Sequence, residues 1–132
     1  MKALDTPILI DLLRGRPSAI KTIRALSGDE LATTELNLFE LGLLARATGA
    51  AHPEKRLAAV DRLRRKLTVL PVDPRAVRWA TEHAAGPGRR LSPWMTLMLG
   101  AIEVNLCAEW IVGPPRLSSL PRGTRVLARA YQ

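Results

Sequence analysis

The stretch Lys2-Ala3-Leu4-Asp5-Thr6-Pro7-Ile8-Leu9-Ile10-Asp11-Leu12-Leu13-Arg14-Gly15 changes character part-way along. A short apolar run over residues 2–4 meets the acid Asp5, and from Pro7 to Leu13 the apolar residues take helical spacing. The stretch reads as strand, acid, helix. Pro7 suits a first helical turn, where its missing N–H costs nothing, Thr6 is the expected N-cap, and Gly15, Arg16 and Pro17 stop the helix. In an open α/β sheet, ligand sites lie outside the carboxyl ends of the strands, at the point where the connections change direction. Asp5 sits at such an end.

The same alternation continues outward. A helix is expected over residues 18–26, a strand over Leu31–Thr34, and a helix over residues 36–48 whose inward stripe reads Leu36, Phe39, Glu40, Leu43, Leu44 and Ala47. Glu40 is thus an acid set into an apolar face. Residues 54–67 form the most basic expected helix, with Leu57, Val60, Leu63 and Leu67 as its buried edge. Residues 68–72 read as a strand, 74–84 as a helix and 86–88 as a loop, and Ser92 and Pro93 open a long apolar helix over residues 94–106. Short strands at 109–112 and 124–127 flank a proline-rich connection over residues 114–121. Strands alternating with helices argue for βαβ units, hence a mostly parallel sheet of four or five strands covered on both faces: one α/β domain over residues 1–132.

Composition narrows the chemistry. The chain of 132 residues carries 20 Lys and Arg against 12 Asp and Glu, a net charge of +8 that favours an anionic partner, nucleic acid or acidic protein. A single cysteine, Cys107, with two histidines far apart in sequence, His52 and His83, excludes a disulfide scaffold or a zinc finger. The chain has no apolar run of the ~18 residues a membrane helix needs, and Asp5 interrupts any signal-like start, so the expected location is the cytoplasm, with no membrane partner. No Gly-x-Gly-x-x-Gly or Gly-x-x-x-x-Gly-Lys run is present, which disfavours dinucleotide and P-loop sites. A carboxylate site remains, in which acids from a strand end and from later helices hold a hard divalent cation.

Two runs, Leu4-Asp5-Thr6-Pro7-Ile8-Leu9-Ile10-Asp11-Leu12-Leu13-Arg14-Gly15 and Ala32-Thr33-Thr34-Glu35-Leu36-Asn37-Leu38-Phe39-Glu40-Leu41, resemble the opening of a PIN domain, most closely toxins of the VapC type. Leu70-Pro71-Val72-Asp73, Leu91-Ser92-Pro93-Trp94 with Leu97-Met98-Leu99-Gly100-Ala101-Ile102, and the run from Ser119-Leu120-Pro121 to Val126-Leu127 extend the likeness along nearly the whole chain. The resemblance implies a PIN-like three-layer fold and a metal-dependent endoribonuclease whose three or four acids surround Mg²⁺ or Mn²⁺. Asp5 and Glu40 match two of them, as catalytic and metal-binding residues. The third position falls on Thr96, or on Met95 if the register slips by one. The fourth falls in Gly113-Pro114-Pro115, and the residue two after the first acid, commonly Asn or Ser, is Pro7.

The resemblance implies, as partners, RNA, a homodimer and a small antitoxin whose acidic chain would lie near Asp5 and Glu40. Two functions stay open: a ribonuclease with Asp5 and Glu40 on Mg²⁺ or Mn²⁺, and a degenerate module, without a cofactor, that binds RNA or a protein and does not cut. Other roles also stand open. Asp5 can simply cap the first helix. Glu40 can pair with an arginine such as Arg14, the basic helix can be a solvated face, and Trp79, Trp94 and Trp110 can be core or dimer contacts. Glu103 lies two turns beyond Thr96, about 10 Å along the axis, and Glu35 points some 140° around its helix from Glu40, so neither is expected to replace a missing acid.

Overall fold

The computed structural model describes residues 1–84, 91–113 and 120–131. Five strands, β1 (Lys2–Leu4), β2 (Leu31–Thr34), β3 (Thr68–Leu70), β4 (Glu109–Val112) and β5 (Leu127–Ala130), form one sheet in the order β3-β2-β1-β4-β5. Every pairing is parallel. Parallel neighbours require crossovers, supplied here by α1 (Thr6–Leu13), α2 (Pro17–Ala25), α3 (Glu35–Ala45), α4 (Pro53–Lys66), α5 (Pro74–Ala84) and α6 (Pro93–Val104).

The strand period of two divides the interior into two cores. Ala3, Trp110 and Val112 face one side, against Met98, Leu99 and Ile102 of α6. Leu4 and Ile111 face the other, against Ile8 and Leu9 of α1, Leu38 and Leu41 of α3, and Val60 and Leu63 of α4. The result is a three-layer α/β fold, as expected. α5 and α6 pack so closely that a Cβ built on Gly100 would stand 2.6 Å from the Ala76 carbonyl oxygen, which is why that position is glycine. From β1 the chain runs outward to β2 and β3, then crosses to β4 on the opposite side of β1. The reversal therefore falls beside β1, and Asp5 follows its carboxyl end.

Three expectations are corrected. The cap of α1 is Asp5, whose side chain accepts the Thr6 N–H, so Thr6 is the first helical residue. The buried stripe of α3 is Asn37, Leu38, Leu41 and Ala45, whereas Phe39, Leu43 and Leu44 are 54%, 57% and 50% exposed. An apolar residue occupies almost every turn position of this helix, so spacing alone cannot tell its two sides apart; the polar Asn37 turns inward because polar partners await it there. The last strand lies at 127–130, not 124–127, because its pairing with β4 runs from Glu109↔Leu127 to Val112↔Ala130. The expected loop at 86–88 and much of the proline-rich connection lie outside the described residues. Among the described residues, no helix is long and apolar enough to cross a membrane.

Candidate functional site

Asp5 is fully buried and pinned on two sides. Its backbone N–H donates to the Ile111 carbonyl of β4 at 3.0 Å, and its Oδ1 accepts the Thr6 N–H at 2.8 Å. Capping by Asp5 leaves the Thr6 hydroxyl available for another task. It donates to Glu40 Oε1 at 2.6 Å. The two acids that the sequence singled out, 35 positions apart, are therefore brought to the same residue: one takes the Thr6 N–H, the other its O–H.

Asn37 organises the same cluster, and the sequence reading gave it no role. It is fully buried on α3, one turn before Glu40. Its Oδ1 accepts the Thr34 N–H at 3.2 Å and the Thr34 hydroxyl at 2.6 Å, and its own N–H bonds to Thr34 Oγ1 at 3.2 Å, a reciprocal box that starts α3. Because a backbone N–H fixes which side-chain atom is oxygen, the amide nitrogen points the other way. Nδ2 donates to Asp5 Oδ1 and to Thr6 Oγ1, each at 3.0 Å, and stands 3.4 Å from Met98 Sδ of α6. The signal in the sequence was the spacing Thr34-x-x-Asn37, a capping pattern at the end of a strand.

The two residues to which the resemblance assigns the third acid both lie in the interior. Thr96 is fully buried, its hydroxyl donates to the Ser92 carbonyl at 2.9 Å, and Met95 is a core residue with 8% exposure. At the fourth, Gly113 offers no side chain, and Pro114 and Pro115 lie outside the described residues. The neighbouring acids are committed elsewhere. Glu103, 3% exposed, accepts the backbone N–H groups of Arg125 and Val126 at 2.6 and 2.8 Å and holds the approach to β5. Glu35 makes a two-pronged pair with Arg64 of α4 at 2.5 and 2.8 Å, which holds its carboxyl below the usual range, chiefly through that hydrogen bond. Among the described residues no three His, Cys, Asp or Glu side chains gather closely enough to hold a metal ion.

A groove of about 420 Å³ opens between α1, α3 and α4. Its walls include Ile10, Leu13, Leu41 and Leu44, and Arg14 and Lys55 stand among them. α4 itself exposes Lys55, Arg56, Arg62, Arg65 and Lys66. Of the tryptophans, Trp110 is fully buried in the core, Trp79 is part-buried and stacks on His83, and Trp94 meets Phe39 with ring centroids 5.8 Å apart.

A family model described as PIN domain matches residues 2–94, 70% of the chain, a span that includes both Asp5 and Glu40. The chain belongs to the PIN-domain family. Solved structures share this PIN fold over most of their length at low identity. A DNA-bound VapBC from Salmonella typhimurium matches with a TM-score of 0.80 at 20% identity, covering 99% of this chain and 98% of that one. A toxin-antitoxin complex from Klebsiella pneumoniae matches at 0.68 and 16%, covering 88% of each chain. VapC20 of Mycobacterium tuberculosis, a toxin that cleaves the sarcin-ricin loop, matches at 0.66 and 14%, covering 89% of this chain and 93% of that one. No curated protein matches the chain.

PIN domains are generally metal-dependent, and the donor set of this one can be weighed against that requirement. Asp5 and Glu40 supply two carboxylates where the resemblance implies three or four acids. Both accept hydrogen bonds from Thr6, and Asp5 also from Asn37. Mg²⁺ demands near-octahedral oxygen geometry and dehydrates reluctantly. The Thr96 hydroxyl, which bonds its own helix, does not make up the deficit. Among the described residues, the donors at this centre do not fit a resident divalent cation.

Proposed function

We propose that this PIN domain is a toxin-type module that keeps the ribonuclease fold and its partner surfaces but binds without metal-dependent cutting. The observation that carries the reading is that, among the described residues, no group of three acids gathers around Asp5 and Glu40, while Thr96, to which the resemblance assigns the third acid, is buried and bonded to the Ser92 carbonyl. Without a third carboxylate, the charge that would offset dehydration of a cation falls on Asp5 and Glu40 alone.

The partner supported best is an acidic, amphipathic protein segment of antitoxin type. Apolar walls at Ile10, Leu13, Leu41 and Leu44 would bury its apolar side, while Arg14, Lys55 and Arg56 would face its carboxylates. The structural neighbours that are toxin-antitoxin assemblies support this choice of partner. RNA is the second anionic ligand of the reading, held on the exposed bases of α4 through phosphate contacts. A homodimer belongs to it as well, supported by the exposed apolar side of α3 at Phe39 and Leu43. The place of action is the cytoplasm.

One observation favours the alternative, a metal-dependent endoribonuclease with Asp5 and Glu40 holding Mg²⁺ or Mn²⁺: both acids do reach the same threonine. Cleavage of structured and single-stranded RNA in 5 mM Mn²⁺ or Mg²⁺, compared between the wild type and Asp5→Ala, decides between them. The proposal expects no cleavage that depends on Asp5. Cleavage that is abolished by Asp5→Ala and by EDTA would establish the enzyme.

A further inference from the structure

We infer that Asn37 takes over, with its side-chain amide, the bridging role that a cation plays between paired acids, so that the centre of this chain is set by hydrogen bonds and is independent of divalent metal. The inference rests on the reading of the centre as incomplete and assigns the residue responsible. A chain of hydrogen bonds links the two carboxylates. Asp5 Oδ1 accepts from Asn37 Nδ2, the same nitrogen donates to Thr6 Oγ1, and Thr6 Oγ1 donates to Glu40 Oε1. Each link has hydrogen-bond length, 3.0, 3.0 and 2.6 Å, and each ends on a carboxylate oxygen or on the hydroxyl that bonds one. Two amide hydrogens and one hydroxyl hydrogen thus supply the positive ends that a cation would otherwise provide.

The position is also the one from which a single atom exchange would undo the arrangement. In Asn37→Asp one oxygen still accepts from Thr34, as Oδ1 does now, so the start of α3 is preserved. The other oxygen replaces Nδ2 and faces Asp5 Oδ1 at about the present 3.0 Å. Two buried carboxylates at that separation cannot both ionise unless a positive charge lies between them. Glu40 lies one hydrogen bond further along, through the Thr6 hydroxyl. Asn37 is a positioning residue by this argument, and its substitution by Asp should create a demand for cation that the wild type lacks.

The test compares thermal unfolding of the full chain in 5 mM Mn²⁺ and in EDTA, for the wild type and Asn37→Asp. The wild type should shift by less than about 1 °C, and Asn37→Asp should unfold roughly 5–10 °C higher with Mn²⁺, the shift expected for an ion present at about a hundred times its dissociation constant. Asn37→Asp that is folded by circular dichroism yet indifferent to Mn²⁺ overturns the inference, as does a wild type that gains equally. If Asn37→Asp does not fold, the side-chain amide resonances of Asn37 in the wild type decide. They should stay sharp at millimolar Mn²⁺, and their paramagnetic loss before other resonances fade overturns the inference. A purely structural role for Asn37 would lower stability in both buffers alike. Asp5-dependent RNA cleavage by the wild type would sink the proposed function, whereas failure of the Asn37→Asp response alone sinks only this inference.

Discussion

Thr6→Val removes one hydroxyl and keeps the shape of the side chain, and it separates Glu40 from Asp5 more cleanly than removal of either acid. The hydroxyl is 96% buried with its residue and makes two bonds, donating to Glu40 Oε1 at 2.6 Å and accepting from Asn37 Nδ2 at 3.0 Å. A hydrogen bond to a charged group contributes about 1.5–3 kcal/mol. Glu40 is only partly buried, so water can replace some of what it loses, while Asn37 Nδ2 keeps its bond to Asp5. The Thr6 N–H, which Asp5 caps, is untouched. The expected loss of folding stability is therefore about 1–2 kcal/mol, at the low end of that range. Urea unfolding of wild type, Thr6→Val, Glu40→Ala and the double variant gives the pairwise energy directly. Coupling of about 1 kcal/mol or more supports the link. Coupling below about 0.3 kcal/mol would refute it and leave the two acids as independent features.

Other parts of the account are open to similar checks. Glu103→Ala strips the acceptor from the Arg125 and Val126 N–H groups near β5 and should cost about 2–4 kcal/mol, read by urea unfolding, with faster amide exchange at Val126 as its local sign. Gly100→Ala places a methyl against the Ala76 carbonyl and should destabilise by about 1–3 kcal/mol through a forced separation of α5 and α6; a neutral effect would show that the helices can part freely. The Glu35–Arg64 pair is about half exposed and should contribute no more than about 1 kcal/mol. Because Glu35 is held below its ordinary pKa of 4.5 in the fold, that contribution is present above pH 4.5 and lost as the pH falls through the lowered value, so wild type and Arg64→Ala should converge in stability in acid. Replacing Arg62, Arg65 and Lys66 together by Glu should weaken binding to a generic RNA and flatten its salt dependence, measured by fluorescence anisotropy from 50 to 200 mM salt; an unchanged slope would remove α4 from the RNA-binding surface.

The outline of the fold was legible because each strand ends at a turn or cap signal and each helix carries its own period. β2, α5 and β4 fall where they were expected, and Ser92 opens α6 as its cap. What the sequence could not supply was the facing of α3. Nearly every position there is apolar, so the inward side was decided by tertiary partners: Asn37 turns toward Asp5 and Thr6, and Phe39 and Leu43 turn out. β5 slipped by three residues for a similar reason, since Glu103 catches Arg125 and Val126 before the ladder with β4 begins at Leu127. At the centre, Asp5 and Glu40 were visible as acids in unusual settings. Asn37 and Thr6, which join them, were not, because a neutral amide and a hydroxyl carry no pattern until the fold brings them within 3 Å of a carboxylate.

The central claim is that hydrogen bonds from Thr6 and Asn37, rather than a divalent cation, complete the acidic centre. Its most direct test is a titration of Mn²⁺ into the wild-type protein followed by electron paramagnetic resonance of the free ion, with Asp5→Ala in parallel. The account predicts that wild type and variant deplete free Mn²⁺ equally, with no saturable site in the micromolar range. One site per chain that saturates at micromolar Mn²⁺ and disappears in Asp5→Ala would contradict it.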